Sequence, residues 1–144
     1  KNLLLILAML FVFYENVVAE EYSMKSIGKN SFKSMIINNE KPSIIEVELT
    51  WIDSLANYGK GFCYGSILND NDSITLNNFC EYTDSNENKF WSKVRRVSSN
   101  LESGLGKQQF LKASEKYKFL LDKDCKYAIS FFRDINFLAE LKCQ

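Results

Sequence analysis

Four cysteines carry the clearest chemical signal in this chain. They bound two intervals of nearly equal length, Cys63 to Cys80 and Cys125 to Cys143, and each interval encloses a single tyrosine, Tyr64 or Tyr127. The chain has no histidine and no Cys-x-x-Cys pair, so a zinc site and a reactive thiol are both disfavoured. We therefore predict two structural disulfides, and among the three pairings that four cysteines allow we favour Cys63 with Cys80 and Cys125 with Cys143.

The second interval restricts how the chain runs between its two cysteines. In an unbroken helix Cys125 and Cys143 would lie roughly 27 Å apart, whereas a disulfide needs Cα atoms within about 7 Å. The chain must then reverse, and Arg133-Asp134-Ile135-Asn136 is the best place for a bend, because Asp134 or Asn136 can cap a second helix.

The N-terminal residues predict export. Lys1, the apolar run from Leu3 to Phe13 and the small residues Val17 and Ala19 have the order of a secretory signal, with cleavage expected after Ala19. The run is shorter than the roughly 20 residues that span a bilayer, so a cleaved signal is favoured over a retained membrane anchor. No later stretch resembles a spanning segment, so no membrane association is expected after cleavage. We expect a secreted, extracellular protein, where disulfides persist. The predicted divisions are a signal peptide at 1–19, a polar arm at 20–41 and a helical disulfide-stapled domain at 42–144.

The composition argues against several classes of function. Lysine and arginine balance aspartate and glutamate at 18 each, so the chain lacks the basic footprint of a nucleic-acid binder. The local cluster Lys93, Arg95 and Arg96 is interpreted as a solvated helix face. Without histidine, the common nucleophile pairs and most metal sites are absent, and a carboxylate pair such as Glu46 with Asp53 is ordinary on a helix surface. We predict no catalytic residue, cofactor or metal, and hence no enzyme.

One sequence motif points to a surface modification. Asn71-Asp72-Ser73 is a glycosylation sequon in a polar stretch that is typical of an exposed turn. Asn71 is therefore a glycosylation candidate.

The spacing of apolar residues predicts an all-α fold. Ser43 and Glu46 have the form of a capping box, and Gly59 and Gly61 are stop signals, so a helix is expected over 44–58. Its apolar face would consist of Ile44, Val47, Trp51, Leu55 and Tyr58. Comparable stripes run from Phe90 to Leu101, from Phe110 to Leu121 and from Cys125 to Leu141. We predict a small disulfide-stapled helical bundle, with repeated cysteine units at 42–82 and 84–144.

The paired units support a resemblance to one protein family. An exported leader followed by Cys63-Tyr64…Cys80 and Cys125-Lys126-Tyr127…Cys143 resembles the bicycle family of aphid salivary proteins. The resemblance implies production in saliva and action as a nonenzymatic effector that binds a host protein of unknown identity. Tyr64 and Tyr127 would then be the motif tyrosines.

A second interpretation is that the chain carries a small ligand. The gap between Cys125 and Cys143 resembles that of the C-terminal cysteine pair in four-cysteine odorant-binding proteins, although the gap after Cys63 is too short for that family. This alternative implies a carrier of a small apolar molecule. A third interpretation is a secreted structural or interaction protein without a ligand pocket.

Overall fold

The described residues of the chain form a β-barrel. The computed structural model describes residues 21–36, 42–70, 73–100, 102–133 and 135–144. In these residues the strands are β1 Tyr22–Ser34, β2 Ser43–Asp53, β3 Tyr58–Asp70, β4 Ser73–Asp84, β5 Lys89–Ser98, β6 Gly104–Ala113, β7 Cys125–Phe132 and β8 Asn136–Cys143. A short 3₁₀ helix, Glu115–Leu120, lies between β6 and β7. The strands follow one another around the wall in chain order and the barrel is closed, so the predicted all-α bundle is wrong.

Strand β2 shows why the helix prediction failed. Along Ile45 to Trp51 every second side chain is buried, while the side chains between them point outward. This period of two is typical of a strand with one buried face. The predicted helical face at 44–58 included Ile44, Leu55 and Tyr58, and all of these are exposed.

The predicted capping box at the start of that helix is instead a set of contacts between strands. The Ser43 hydroxyl lies 2.7 Å from the hydroxyl of Ser34 on β1. Glu46 accepts a hydrogen bond from Lys33, also on β1, at 3.4 Å. The two residues therefore stabilise the β1–β2 pair and cap no helix.

The segment predicted as a polar arm contributes a strand to the wall. Residues 22–34 form β1, which pairs with β2 on one side and with β8 on the other. Its lysines point outward, and Lys29 lies 3.1 Å from Glu48 on β2. The segment is polar because these side chains form the outer face of a strand. The predicted signal at 1–19 lies outside the described residues.

The two predicted cysteine units share one continuous wall. Residues Ile74 to Thr83 of β4 pair with Lys89 to Ser98 of β5. The boundary between units 42–82 and 84–144 therefore falls at a hairpin between hydrogen-bonded strands.

Glycines, among them the predicted helix stop Gly61, lie within strands. Gly61 belongs to β3 and Gly106 to β6. A Cβ atom on Gly106 would lie 2.4 Å from the ring of Tyr127, and one on Gly61 would lie 2.8 Å from Leu49. These glycines leave room for large side chains from neighbouring strands inside the barrel.

One end of the barrel is filled by aromatic side chains. Phe90 is fully buried at the centre of this cluster, with its ring 4.5 Å from that of Tyr117 and 4.8 Å from that of Tyr82. Trp51 and Phe110 pack edge-on against Phe90 at 5.3 and 5.7 Å. Because Tyr117 belongs to the 3₁₀ helix, that helix closes this end of the barrel.

Two hairpin loops at the closed end have the same design. Asp53 Oδ1 accepts hydrogen bonds from the backbone amides of Leu55 and Asn57 at 2.9 and 2.8 Å. Asp84 Oδ1 accepts the equivalent bonds from Asn86 and Asn88 at 2.8 and 2.9 Å. The shared pattern Asp-Ser-x-x-Asn therefore forms a turn that a side-chain carboxylate stabilises.

The disulfides join neighbouring strands directly across the ladder. Cys63 on β3 faces Cys80 on β4 with Cα atoms 4.0 Å apart, and Cys125 on β7 faces Cys143 on β8 at 4.1 Å. This is the sequential pairing expected from the spacing. The strands themselves bring each pair together, since opposed residues in antiparallel strands approach to about 4.5 Å. The chain reverses between β7 and β8, and Asp134, proposed there as a helix cap, lies outside the described residues.

We expect the second disulfide to contribute strongly to stability. Replacing both Cys125 and Cys143 by Ala should lower the free energy of unfolding by about 3 kcal/mol, because the unfolded chain regains the freedom that the closed loop removes. Urea unfolding at equilibrium measures this change.

The neighbouring pair Lys126 and Lys142 provides the matched control. These residues also face each other on β7 and β8, but both are exposed. Replacing both by Ala should change stability by no more than about 0.5 kcal/mol. Equal losses of unfolding free energy in the two double variants would show that the disulfide stabilises the barrel no more than an exposed pair of side chains at the neighbouring position does.

Candidate functional site

The barrel interior contains a cavity beyond the aromatic cluster. Its volume is about 530 Å³, and it is lined by side chains from β1 to β8. Its deep part is bounded by Leu49 and Tyr82, near the closed end, and its other end is lined by Asn100 and Glu102 of the β5–β6 loop. The cavity therefore runs from the middle of the barrel to the end opposite the 3₁₀ helix.

Most of the cavity wall is apolar. Aliphatic and aromatic side chains from several strands face it, among them Met24, Val47, Ile67, Val94, Phe137 and Leu141. The Cys63–Cys80 disulfide also lines it. This disulfide fixes the β3–β4 side of the wall.

Polar side chains interrupt this wall at a few places. Gln108 donates hydrogen bonds to Tyr82 Oη at 3.2 Å and to Ser92 Oγ at 3.0 Å. These three side chains are therefore hydrogen bonded to one another. Asn78 has a buried Oδ1 atom without a hydrogen-bond partner among the described residues. A cavity with unpaired polar atoms differs from an ordinary core, where buried polar atoms are nearly always bonded.

Arg96 is the charged residue buried in the cavity wall. It is only 4% exposed. Its Nη2 atom donates to the carbonyl oxygens of Asn100 and Glu102 at 3.2 and 2.6 Å, and its Nε atom has no partner in the described part of the chain. No carboxylate of the described residues lies within ion-pair distance of it. A buried guanidinium held only by neutral carbonyl groups leaves a positive charge in the cavity wall uncompensated.

Tyr127 lies on the same side of the cavity as Arg96. Gly106 contacts the Tyr127 ring and Gly104 contacts the Arg96 guanidinium, so both groups pack against β6. Burial raises the pKa of Tyr127 to about 12, against the opposing effect of the Arg96 charge. Its hydroxyl group therefore keeps its proton and remains a hydrogen-bond donor at neutral pH.

Ionisable groups at the closed end are occupied with one another. Asp84 Oδ2 accepts from the Tyr117 hydroxyl at 3.0 Å and from Lys116 Nζ at 2.8 Å. Burial alone would raise the pKa of Asp84, but the hydrogen bonds from Lys116, Asn88 and Asn86 outweigh it and hold the pKa well below its usual value. Burial, together with the bond to Asp84, raises the pKa of Tyr117. This cluster anchors the 3₁₀ helix to the β4–β5 hairpin.

The structure separates the residues that the sequence grouped. Tyr64 is 62% exposed on the outer face of β3, whereas Tyr127 is 8% exposed and lines the cavity. Glu46 points outward from β2 and Asp53 is buried at the closed end, so they form no carboxylate pair. The glycosylation candidate Asn71 lies outside the described residues.

Arg96 was missed because it was assigned to a solvated helix face. In β5 the alternation buries Phe90, Ser92, Val94 and Arg96, while Arg95 points outward. A period of two counted forward from Phe90 would have placed Arg96 inside.

The described residues lack two further features. They contain no group of three or more histidine, cysteine, aspartate or glutamate residues placed to hold a metal ion. Among them, no helix is long and apolar enough to cross a membrane.

Comparison with known proteins yields similarity of fold. No protein-family model matches the chain, and no curated protein sequence matches it. A protein of unknown function from Clostridium acetobutylicum superposes with a TM-score of 0.71 at 12% identity, over 87% of this chain and 97% of that one. A conserved protein of unknown function from Rhodopseudomonas palustris gives 0.68 at 10% identity, again over 87% and 97%. These similarities support the barrel fold and carry no information on function.

The Asp84 cluster predicts a pH-dependent stability. A carboxylate whose pKa is lowered by folding contributes stability above its unfolded pKa of about 3.9, and the contribution is lost as the pH falls below that value. Asp84→Asn should therefore cost about 2 kcal/mol near neutral pH and show a smaller further loss between about pH 5 and pH 2 than the unmodified protein. Thermal unfolding across this range measures both effects.

Asp122→Asn is the control for this experiment, because Asp122 is exposed next to the same 3₁₀ helix. It should leave the pH profile unchanged. An Asp84→Asn profile parallel to that of the unmodified protein would contradict the role assigned to the carboxylate.

Proposed function

We propose that this protein is a nonenzymatic carrier that binds one small apolar molecule inside its barrel. The observation that carries the proposal is the cavity of about 530 Å³, which lies within the range of roughly 300–1,000 Å³ usual for small-molecule sites. A barrel of eight strands has an interior that side chains can fill completely, or that can hold one small ligand when they do not. Here the side chains fill the closed end and leave the rest open.

The character of the wall supports an apolar ligand. Water molecules are bound weakly in an apolar cavity of this size, because each needs polar hydrogen-bond partners. A ligand that filled the cavity would make dispersion contacts with its lining and would remove its own apolar surface from water. The Cys63–Cys80 disulfide holds part of the wall in place, which lowers the ordering cost of binding.

The chemistry of the titratable groups favours a carrier over an enzyme. The chain contains no histidine. The lowered pKa of Asp84 and the raised pKa of Tyr117 belong to the cluster at the closed end, where each group is already hydrogen bonded to the other. These shifts stabilise the fold and are not directed at the cavity.

Secretion remains part of the proposal. It rests on the signal-like leader and on the two disulfides, which persist in oxidising surroundings. The proposed carrier function is that of the second interpretation of the sequence. The fold that supplies it is a barrel and not a helical bundle. The salivary-effector resemblance stays a prediction, and its helical component is wrong for this chain.

Displacement of a neutral fluorescent probe tests this proposal. The probe N-phenyl-1-naphthylamine should bind with a stoichiometry of one and be displaced by dodecanol. Ala139→Phe should weaken binding at least about tenfold, because Ala139 lines the cavity and an added ring would occupy the ligand's space.

Ala128→Phe is the matched control, since Ala128 lies on neighbouring β7 and is exposed. It should leave binding unchanged, and circular dichroism and thermal unfolding should show that both variants fold. Absence of probe binding to the unmodified protein, or equal weakening by the two substitutions, would reject the carrier function.

A further inference from the structure

We propose that the ligand is an apolar molecule with a single carboxylate, and that this carboxylate binds at Arg96 on the cavity wall. The inference rests on the proposed carrier function and adds the chemical class of the ligand. It follows from the burial and missing partners of Arg96 and from the neutral donors around it.

The first argument is the uncompensated charge. Taking a guanidinium out of water is costly unless an opposite charge or sufficient hydrogen bonds compensate it. Arg96 is 4% exposed, and within the described residues its hydrogen bonds go to the carbonyl groups of Asn100 and Glu102. An anion in the cavity would supply the charge that the protein does not place there.

The second argument is the number of donors left over. A guanidinium has five N–H donors and no acceptor. Nη2 makes two bonds, to the two loop carbonyls, while Nε has none. Carboxylate oxygens accept hydrogen bonds from a guanidinium in pairs, so such a group fits the unused donors in number and charge.

The third argument concerns the groups beside Arg96. Leu76 of β4 pairs with Arg96, which places Asn78 on the same inner face, one diagonal step away. The side chains of Asn78 and Tyr127 both line the cavity. The Tyr127 hydroxyl and the Nδ2 amide group of Asn78 are neutral donors for an oxyanion, whereas the unpaired Oδ1 atom of Asn78 is an acceptor and takes no part in this contact.

The charge of the site limits the ligand to a monoanion. Among the described residues, Arg96 is the one basic side chain in the cavity lining. The one acidic side chain there, Glu102, is exposed and forms no ion pair with Arg96. One guanidinium balances one negative charge. A doubly charged phosphate would leave a second charge buried and unpaired, which is costly.

The loop geometry keeps the guanidinium at this place. Gly104 begins β6 beside Arg96, and a Cβ atom there would lie 2.7 Å from Nη2. The missing side chain leaves space for the guanidinium between β5 and β6. The two carbonyl bonds then tie it to the loop.

The test compares two ligands of equal chain length on the unmodified protein. Dodecanoate and dodecanol should both displace N-phenyl-1-naphthylamine, and near pH 7, where the acid is ionised, dodecanoate should bind at least about tenfold tighter. If neither displaces the probe, the carrier function itself fails. If dodecanol binds as tightly as dodecanoate, the carrier function stands and the carboxylate site is rejected.

A variant pair locates the anion. Arg96→Gln should reduce dodecanoate binding to the level of dodecanol and leave dodecanol binding unchanged. Arg95→Gln is the matched control, because Arg95 is the next residue on β5 and points outward. It should keep the preference for dodecanoate. Equal loss of preference in both variants would show that general charge is responsible and would overturn the assignment to Arg96.

If Arg96→Gln does not fold, the comparison of dodecanoate with dodecanol on the unmodified protein tests the carboxylate site. In that case dodecanoate binding is also measured as the pH is lowered through the pKa of the free acid. Its affinity should fall to that of dodecanol as the carboxylate is protonated. An affinity that stays constant would contradict an ionic contact with the ligand.

Discussion

The pairing of β1 with β8 is the interaction on which the rest of this structure depends. Tyr22 to Lys29 form a ladder with Asn136 to Cys143, and this ladder turns an open meander into a closed wall. An open sheet of the same strands would expose an unpaired edge on each side and could not enclose a space. Closure gives every inward side chain a neighbour across the barrel. The inside therefore becomes a limited volume that the sequence fills in some places and leaves empty in others.

The distribution of side-chain volume along the barrel axis separates a filled end from an end that contains the cavity. At one end Trp51, Phe90 and Tyr117 pack ring against ring, and the 3₁₀ helix closes the barrel there. Toward the other end the inward side chains, aliphatic and aromatic, leave a space of about 530 Å³ between them. The Asp53 and Asp84 turns are both at the filled end. The groups with the strongest local hydrogen bonding thus support the cavity from outside and take no part in its lining.

The sequence allowed the cysteine pairing to be predicted, but not the strands that produce it. Equal spacing around a hairpin brings residues into register, so Cys63 and Cys80 meet whether the arms are helices or strands. The fold was missed because barrel interiors contain polar residues and glycine at inward positions, which hides the alternation. In β6 the inward series is Gly104, Gly106, Gln108 and Phe110, which has no apolar period of two. β2 has a clear one, from Ile45 to Trp51, and would have corrected the prediction. The cavity itself could not be predicted, because its volume depends on side chains from all the strands.

An unfilled interior has a thermodynamic consequence that connects the disulfides with the site. A cavity forfeits dispersion contacts along its whole lining, and a buried guanidinium without an anionic partner adds a further cost. Each disulfide offsets about 3 kcal/mol of such a loss by restricting the unfolded chain, without occupying much of the interior. The Cys63–Cys80 bridge does so from within the cavity wall itself, and the Cys125–Cys143 bridge does so in the strand pair β7–β8. Stability supplied by covalent links tolerates inward residues that do not fill the barrel or pair their charges. In the proposed carrier, the residues that weaken the empty barrel, Arg96 above all, are the ones that would select the ligand.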